Sequence, residues 1–83
     1  MASVRQAYRF NQLFHYKLGN PNALIPKVII RIGLFQFYPG AEILRGITVD
    51  GLDLFFLMMR NPLVQVDYDT VNKIYTIVGV QNG

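Results

Sequence analysis

The N-terminal residues carry apolar side chains at a spacing that is typical of one face of an α-helix. Ser3 suits the N-cap of such a helix, and Gly19 suits the position just after its end. At about 100° per residue, the apolar side chains fall on one side of the helix: Val4, Ala7, Tyr8, Phe10, Phe14 and Leu18. The pattern therefore predicts an amphipathic helix over residues 3–18.

The opposite face of this helix would be polar and would carry two arginines one turn apart. Its residues are Arg5, Arg9, Gln12 and Tyr16. A solvated face is one interpretation. The other is a nucleic-acid-binding surface, since arginine pairs with phosphate and tyrosine can stack on a base. His15 falls at the edge of the apolar face, and we interpret it as a packing or capping residue rather than a catalytic one.

After the N-terminal helix the hydrophobic pattern changes to that of β-strands. Residues 20–26 contain two prolines and two asparagines and are predicted to form a turn or linker. Residues 27–38 are rich in β-branched and aromatic residues, which predicts one long strand with a bend at Gly33. Residues 41–49 predict a second strand, with a sharp bend allowed at Gly46.

Residues 52–60 are ambiguous between a strand and a helix. Six apolar residues in a row, followed by Asn61 and Pro62, favour a central strand that is covered on both faces. Leucine and methionine favour a helix instead. We interpret the segment as a strand. A hairpin is predicted next, in which residues 63–68 and 73–80 pair across a short turn.

These elements predict one domain over residues 1–83, mainly β with one N-terminal helix. The fold class would be α+β, and residues 27–80 would form a small, strongly bent, five-stranded barrel of the SH3-like or Sm-like kind. Gly33, Gly46 and Gly79 are the positions at which the strands could bend. A small barrel of this kind leaves strand edges, with which neighbouring copies can pair.

Composition adds a surplus of apolar residues to this picture. The chain has 83 residues, of which 52% are hydrophobic and 16% charged, against about 25% charged in an ordinary soluble domain. A fold of this size hides only about 60% of the surface of its extended chain, so some apolar residues would cover a partner. We therefore predict a homo-oligomer. Its candidate interface residues lie in the apolar strands: Leu54, Phe56, Tyr68 and Ile74.

Charge divides the chain into two parts of opposite sign. The formal net charge is +3, yet residues 1–41 contain five bases and no acid, whereas residues 42–83 contain three bases and five acids. Such asymmetry is found in proteins that bind a polyanion, and it equally allows copies of one chain to pair head to tail.

Residues for catalysis or metal binding are scarce. The chain has no cysteine, one serine and one histidine, and it lacks the nucleophile-elbow, zinc-protease and P-loop patterns. Four aspartates are interpreted as turn and hairpin residues: Asp50, Asp53, Asp67 and Asp69. We therefore expect neither an enzyme nor a cofactor or metal site.

The sequence predicts no membrane or export segment. Its longest apolar run, residues 54–59, is far shorter than the roughly 20 residues that span a bilayer. The N-terminal residues lack the continuous apolar core and the small-residue cleavage site of a signal peptide. A cytoplasmic or virion location is the default expectation.

One stretch of the chain resembles a known family. Residues 44–61, LRGITVDGLDLFFLMMRN, are similar to the second and third strands of the Sm-like family, and within it of the bacterial Hfq-type RNA chaperones. The matching positions are Leu44, Gly46, Leu52, Asp53, Phe55, Leu57 and Asn61. The resemblance implies a helix followed by five bent strands, assembly into a ring and binding of single-stranded RNA. Phe55 would then stack on a base, while Arg5 and Arg9 would contact phosphates.

The chain also departs from that family. Asp69 and Thr70 stand where Hfq-type proteins have a basic residue and a histidine, and the Arg-Gly element of the family's fourth strand is missing. Two function hypotheses remain open. One is a small oligomeric RNA-binding protein. The other is a structural assembly subunit, such as a virion or shell component, that packs on copies of itself or on a larger structural protein. Both predict a homo-oligomer, and only the first predicts a nucleic-acid partner.

Overall fold

The computed structural model describes residues 3–81, and β-strands make up most of them. A short 3-10 helix (Phe10–Gln12) and one α-helix, α1 (Leu54–Arg60), interrupt the strands. The strands are β1 (Ser3–Arg9), β2 (Phe14–Lys17), β3 (Asn20–Pro26), β4 (Ile29–Ile32), β5 (Phe35–Phe37), β6 (Thr48–Val49), β7 (Leu52–Asp53), β8 (Leu63–Asp69) and β9 (Ile74–Gln81). The fold is therefore mainly β with one α-helix, which agrees with the predicted class, but the helix is not the predicted N-terminal one.

The larger of the sheets has five strands in the order β1-β8-β9-β4-β5. β4 runs parallel to β9, and the other neighbouring strands are antiparallel. The hairpin predicted from residues 63–68 and 73–80 is confirmed as β8 and β9. β2 pairs with β3, and β6 pairs with β7, in two small sheets. Over residues 3–81 the sheets are not closed into a barrel, so the predicted five-stranded barrel is not confirmed.

The predicted N-terminal helix over residues 3–18 is wrong. β1, the 3-10 helix and β2 occupy that segment. β1 pairs with β8 without a break, from Ser3 opposite Asp69 to Arg9 opposite Leu63. These seven consecutive pairings outweigh the helical pattern, because the stability of a helix in a protein comes mostly from packing of its apolar face rather than from propensity.

The helical spacing of the apolar residues has a different cause. Phe10 is the first residue of the 3-10 helix and Phe14 is the first residue of β2, and the tight turn between them brings their rings together in a stacked arrangement with 4.7 Å between centroids. Both side chains are fully buried. The spacing of four residues therefore comes from a turn between two strands and not from a helix.

The strand predicted over residues 52–60 is limited to β7, because residues 54–60 form α1. Both ends of this helix are capped. The Asp53 carboxylate accepts a hydrogen bond from the Phe55 N–H at 2.7 Å. Asn61 takes the left-handed conformation, with φ at 49°, and its N–H donates to the Leu57 carbonyl at 2.7 Å. Together with the helix propensity of leucine and methionine, these local signals outweigh the argument from the length of the apolar run.

Three further segments differ in detail from the prediction. Residues 20–26 form β3 rather than a turn or linker, because a proline without an N–H is tolerated in a strand of a small two-stranded sheet. The long strand predicted for residues 27–38 is the hairpin of β4 and β5, because Gly33, with φ at 58°, forms a tight turn. The strand predicted for residues 41–49 is reduced to β6 and one isolated bridge at Ile43.

One continuous hydrophobic core lies between the inner face of the large sheet and the smaller elements. The sheet contributes Ile30, Ile32, Val64, Val66 and Ile77. The 3-10 helix, β2, β3 and α1 add further buried side chains, among them Phe10, Phe14, Leu24, Leu54 and Leu57. No polar or charged side chain is buried within residues 3–81. The polar binding groups in this part of the chain therefore lie at the surface.

Candidate functional site

The first candidate surface is the free side of β1, which we call the β1 edge (Ser3–Arg9). β1 is the outermost strand of the large sheet and pairs with β8 alone. Its seven residues contain no proline and form no bulge, since the register with β8 is unbroken. Natural proteins usually protect such an edge, because its unpaired backbone groups can template pairing with another strand.

Hydrogen bonds at the end of β1 indicate which of its backbone groups point outward. The Phe10 N–H donates to the Pro62 carbonyl at 3.0 Å, one step beyond the last pair of β1 and β8. Hydrogen-bonded and non-bonded pairs alternate in an antiparallel ladder, so the even-numbered residues of β1 bond to β8. The Arg9 N–H accordingly points away and donates to the Gln12 side chain at 2.8 Å. The odd-numbered residues direct their backbone groups to the β1 edge: Ser3, Arg5, Ala7 and Arg9.

The other strand edges are shorter or are blocked. β5 has three residues, and β6 and β7 have two each. β3 has seven residues but contains Pro21 and Pro26, which have no N–H to donate. β2 has four residues, and its register with β3 shifts between Tyr16 and Lys17. In the part of the chain that the structure describes, β1 therefore offers the longest regular edge.

The first arginine of β1 is held against the sheet itself. Arg5 forms an ion pair and two hydrogen bonds with Asp67, its cross-strand partner on β8. The hydrogen bond to Asp67 and the negative charge of that carboxylate raise the pKa of Arg5 above its ordinary value. Because the guanidinium is drawn toward β8, it does not cover the β1 edge.

The inner face of β1 joins a cluster of three tyrosines. The rings of Tyr8 and Tyr75 meet edge to face with 5.6 Å between centroids, and the rings of Tyr75 and Tyr68 lie 4.5 Å apart. Burial raises the pKa of the Tyr75 hydroxyl above its ordinary value. The Tyr8 hydroxyl donates to the side-chain oxygen of Gln6. Val4 lies on the same face and is 44% exposed. On the inner face of β1, Tyr8 is therefore held by side-chain contacts, whereas Val4 remains partly exposed to solvent.

The second candidate surface is a half-open cavity of about 400 Å³ beside α1, which we call the α1 groove. Its lining residues are Tyr16, Pro21, Asn22, Arg45, Asp53, Phe55, Phe56 and Met59. The Arg45 guanidinium lies 4.5 Å from the centre of the Phe55 ring and 3.9 Å from the Asp53 carboxylate. A planar cation and several aromatic side chains thus line one cavity, an arrangement that can hold a flat or anionic ligand.

The five predicted nucleic-acid-binding residues do not form one surface. Arg5 and Arg9 lie on β1 and Gln12 lies in the 3-10 helix, whereas Tyr16 and Phe55 line the α1 groove. The predicted stripe depended on a helix that does not form, which is why its members are dispersed. The Gln12 side chain is also occupied by its bond to the Arg9 N–H. Phe55 is 4% exposed, so it offers little ring surface for stacking.

The four predicted interface residues are also separated by the fold. Leu54 is 1% exposed and packs in the core, which corrects its assignment to an interface. Phe56 is 40% exposed, and the Arg60 guanidinium lies 5.5 Å from the centre of its ring. Tyr68 and Ile74 are half-buried and project from opposite faces of the large sheet. Three of the four therefore reach the surface, at separate places.

Sequence reasoning misses two features of these surfaces. Along residues 3–9, Gln6 and Ala7 break the alternation of polar and apolar residues, so the local signal for β1 is weak, and the helical spacing of Phe10 and Phe14 competes with it. Arg45 carries no local signal, because its position over Phe55 is set by the fold. An edge strand and a groove both depend on which distant segments come together.

Titratable side chains form no cluster of three or more that could hold a metal ion within residues 3–81. His15 is exposed, and its Nδ1 lies 2.8 Å from the Tyr16 carbonyl oxygen. Three aspartates accept hydrogen bonds from backbone N–H groups of a turn, of α1 or of β9: Asp50, Asp53 and Asp69. Neither of the helices described above is long and apolar enough to cross a membrane.

The fold and its two surfaces define a small, mainly β protein with an open sheet edge. Comparison of the chain with protein-family models, with curated proteins and with solved structures finds no match. The function therefore has to be inferred from the β1 edge and the α1 groove themselves.

Proposed function

We propose that this chain is a non-catalytic structural subunit whose copies assemble through their sheet edges. The β1 edge is the observation that carries this proposal, since seven residues of regular strand form the open edge of a five-stranded sheet. Main-chain hydrogen bonding to an exposed edge is a common way for one chain to join another. A cytoplasmic or virion setting belongs to the same proposal, and a larger structural protein is the alternative partner.

Exposed apolar side chains give a second line of support. Leu18 lies in the turn of the β2–β3 hairpin and Leu34 in the turn of the β4–β5 hairpin, and both side chains are fully exposed. Phe35 and Tyr38, which follow the second turn, are 56% and 57% exposed. Assembly would remove such apolar surface from water, which is the main driving force for association.

The native mass of the chain, measured with and without nuclease treatment, tests this function. We expect a defined oligomer by native mass spectrometry and light scattering. Its mass should not change after nuclease treatment, because protein strands rather than nucleic acid hold the copies together. A monodisperse monomer, even in concentrated solution, would overturn the proposal.

A second candidate function is the binding of single-stranded RNA in the α1 groove. One observation favours it: the Arg45 guanidinium lies over the Phe55 ring, and Tyr16 lines the same cavity. Arginine and aromatic side chains in one groove are typical of surfaces on which bases stack. Several residues of the groove fall within residues 44–61, the stretch that resembles the Sm-like family. If the chain binds RNA as that family does, the family's barrel and ring are part of this second candidate function.

Labelled U-rich and A-rich oligonucleotides test the second candidate. Binding should be detectable at low salt and should weaken as salt rises, because phosphate contacts release counterions. Arg45→Ala should weaken it, because Arg45 lines the groove. Arg31→Ala, on the outer face of the large sheet, is a matched control for Arg45→Ala. Absence of binding at low salt would overturn RNA binding, and equal losses from Arg45→Ala and Arg31→Ala would exclude the groove as its site.

A further inference from the structure

We propose that two copies of this chain join β1 to β1 in antiparallel orientation, with Gln6 on the two-fold axis between them. This inference rests on the structural function proposed above. It specifies which strands of two copies meet, in which register they pair and by which symmetry they are related. The pairing would turn two five-stranded sheets into one continuous sheet. We choose a second copy rather than a different partner strand because, in one register, β1 can pair with itself over its full length without placing like charges opposite each other.

The two faces of the sheet restrict the registers that are available. With a two-fold axis perpendicular to the sheet, the inner faces of both copies stay on the same side, so even-numbered residues pair with even-numbered residues. The axis can then pass through Arg5, Gln6 or Ala7 with most of β1 still paired. Gln6 is the middle residue of Ser3–Arg9, so an axis through it pairs all seven residues of the strand.

Charge selects the register centred on Gln6. An axis through Arg5 would set the two copies of Arg5 directly opposite each other. An axis through Ala7 would set Arg5 opposite Arg9 of the second copy. An axis through Gln6 instead sets Arg5 opposite Ala7, and Ser3 opposite Arg9. Like charges directly opposite each other destabilise a sheet, and of the three registers only the one on Gln6 avoids them.

The backbone groups at the β1 edge fit this register. The outward groups belong to odd-numbered residues, so Arg5 and Ala7 of the second copy form a hydrogen-bonded pair, and the symmetry repeats that pair. The Ser3 N–H can donate to the Arg9 carbonyl of the second copy. The new ladder ends there, because the Arg9 N–H is already bonded to Gln12.

Side chains on the inner face also gain contacts in this register. Val4, which is 44% exposed, would lie opposite Tyr8 of the second copy. A β-branched residue opposite an aromatic one is a favourable cross-strand pair. Tyr8 is already positioned by its contacts with Tyr75 and Gln6. The two Gln6 side chains would meet on the axis, where each amide can bond to the other.

Cysteine cross-linking tests the register on a clean background, because the chain contains no cysteine. The two Gln6 residues would form a non-hydrogen-bonded pair, with Cα atoms about 4.5 Å apart, which is within the range of a disulfide. We therefore expect Gln6→Cys to give a covalent dimer under mild oxidation. Arg5→Cys and Ala7→Cys should each give little dimer alone but should cross-link to each other when the two proteins are mixed.

The possible failures are distinguishable. Cross-linking of Arg5→Cys or Ala7→Cys alone, without cross-linking of Gln6→Cys, would overturn the register. A wild-type oligomer that persists while none of the three positions cross-links would overturn pairing through β1 and leave the structural function standing. A wild-type chain that is monomeric at every concentration would overturn both.

Substitutions of opposite charge at Ala7 provide a second test, in which the dissociation constant of the dimer is measured and no disulfide is needed. Ala7→Lys would place an ammonium opposite Arg5 at two symmetric places in the interface and should raise the dissociation constant about tenfold. Ala7→Glu would place a carboxylate there and should keep or lower the dissociation constant. The two variants are matched in position, and circular dichroism checks that both fold. Equal dissociation constants would overturn the register.

Discussion

Asp50 joins the turn between β6 and β7 to the last strand of the large sheet, because its Oδ2 accepts a hydrogen bond from the Val80 N–H at 2.8 Å. Asp50 itself has a left-handed backbone conformation, with φ at 52°. The contact links residues 30 positions apart in the sequence. It lies near the point where β9 shifts its register with β8 after Gln65. One carboxylate therefore holds a turn against an irregular part of the sheet.

Asp50→Ala should lower the free energy of unfolding by about 1–2 kcal/mol, since it removes the acceptor from the Val80 N–H and places alanine at positive φ. Asp50→Asn keeps a carbonyl acceptor and tolerates the left-handed conformation, so its loss should be smaller. Urea unfolding followed by circular dichroism measures both variants. Equal losses would mean that the contact with Val80 does not stabilise the fold.

Asn61 stabilises the end of α1 in two ways. Its φ of 49° provides the left-handed turn after the helix, and its Oδ1 accepts a hydrogen bond from the Asn11 N–H at 2.8 Å. Asn61→Gly keeps the turn and loses the bond, with an expected loss of about 1 kcal/mol. Asn61→Ala loses both and should cost about 1 kcal/mol more. Thermal unfolding orders the three proteins, and an alanine variant as stable as the glycine variant would contradict the importance of the left-handed turn.

Phe14 should contribute far more to stability than an exposed phenylalanine of the same chain. It is fully buried and stacked on Phe10, so Phe14→Ala should lower the free energy of unfolding by about 3–5 kcal/mol. Phe35→Ala is the matched control, because Phe35 is 56% exposed, and its expected loss is below about 1 kcal/mol. Chemical denaturation measures both. Similar losses would mean that the stacked pair is not part of the folding core.

The large sheet illustrates what a sequence pattern can predict. Residues 63–68 and 73–80 predict a hairpin because both strands and their turn are close in sequence, and β8 and β9 confirm it. Residues 3–18 have helical spacing, yet they form strands because the partner of β1 is β8, which lies about sixty residues further along. A local pattern contains no information on such a partner.

The candidate surfaces show the same division between local and distant information. The surplus of apolar residues predicts exposed apolar side chains, and Leu18 and Leu34 are such residues. Arg45 could not be assigned from the sequence, because the α1 groove forms only when α1 lies beside β2 and β3. The prediction that Leu54 lies in an interface is wrong for a related reason. Residues 54–60 form a helix rather than a strand, and this helix directs the Leu54 side chain into the core.

Asp69 makes stability depend on pH through the turn between β8 and β9. Its carboxylate accepts hydrogen bonds from the Val71 N–H at 2.9 Å and from the backbone and side-chain nitrogens of Asn72 at 3.0 Å. The bond from the Asn72 backbone, followed by the bond from its side chain, lowers the pKa of Asp69 below its ordinary value of 3.8. The charged form of Asp69 therefore favours the folded state.

Because the folded pKa is depressed, the contribution of Asp69 is fully present above its ordinary pKa and is lost as pH falls through the folded pKa. Asp69→Asn removes the titrating carboxyl, so the wild type should be the more stable protein above the ordinary pKa of 3.8, and the difference should shrink as pH falls below it. Asn72→Ala removes one donor and should have an intermediate effect. Urea unfolding across this range measures the three profiles. Parallel profiles for the wild type and Asp69→Asn would contradict the prediction, because only a carboxyl that titrates at different pH values in the folded and unfolded states makes the two proteins converge.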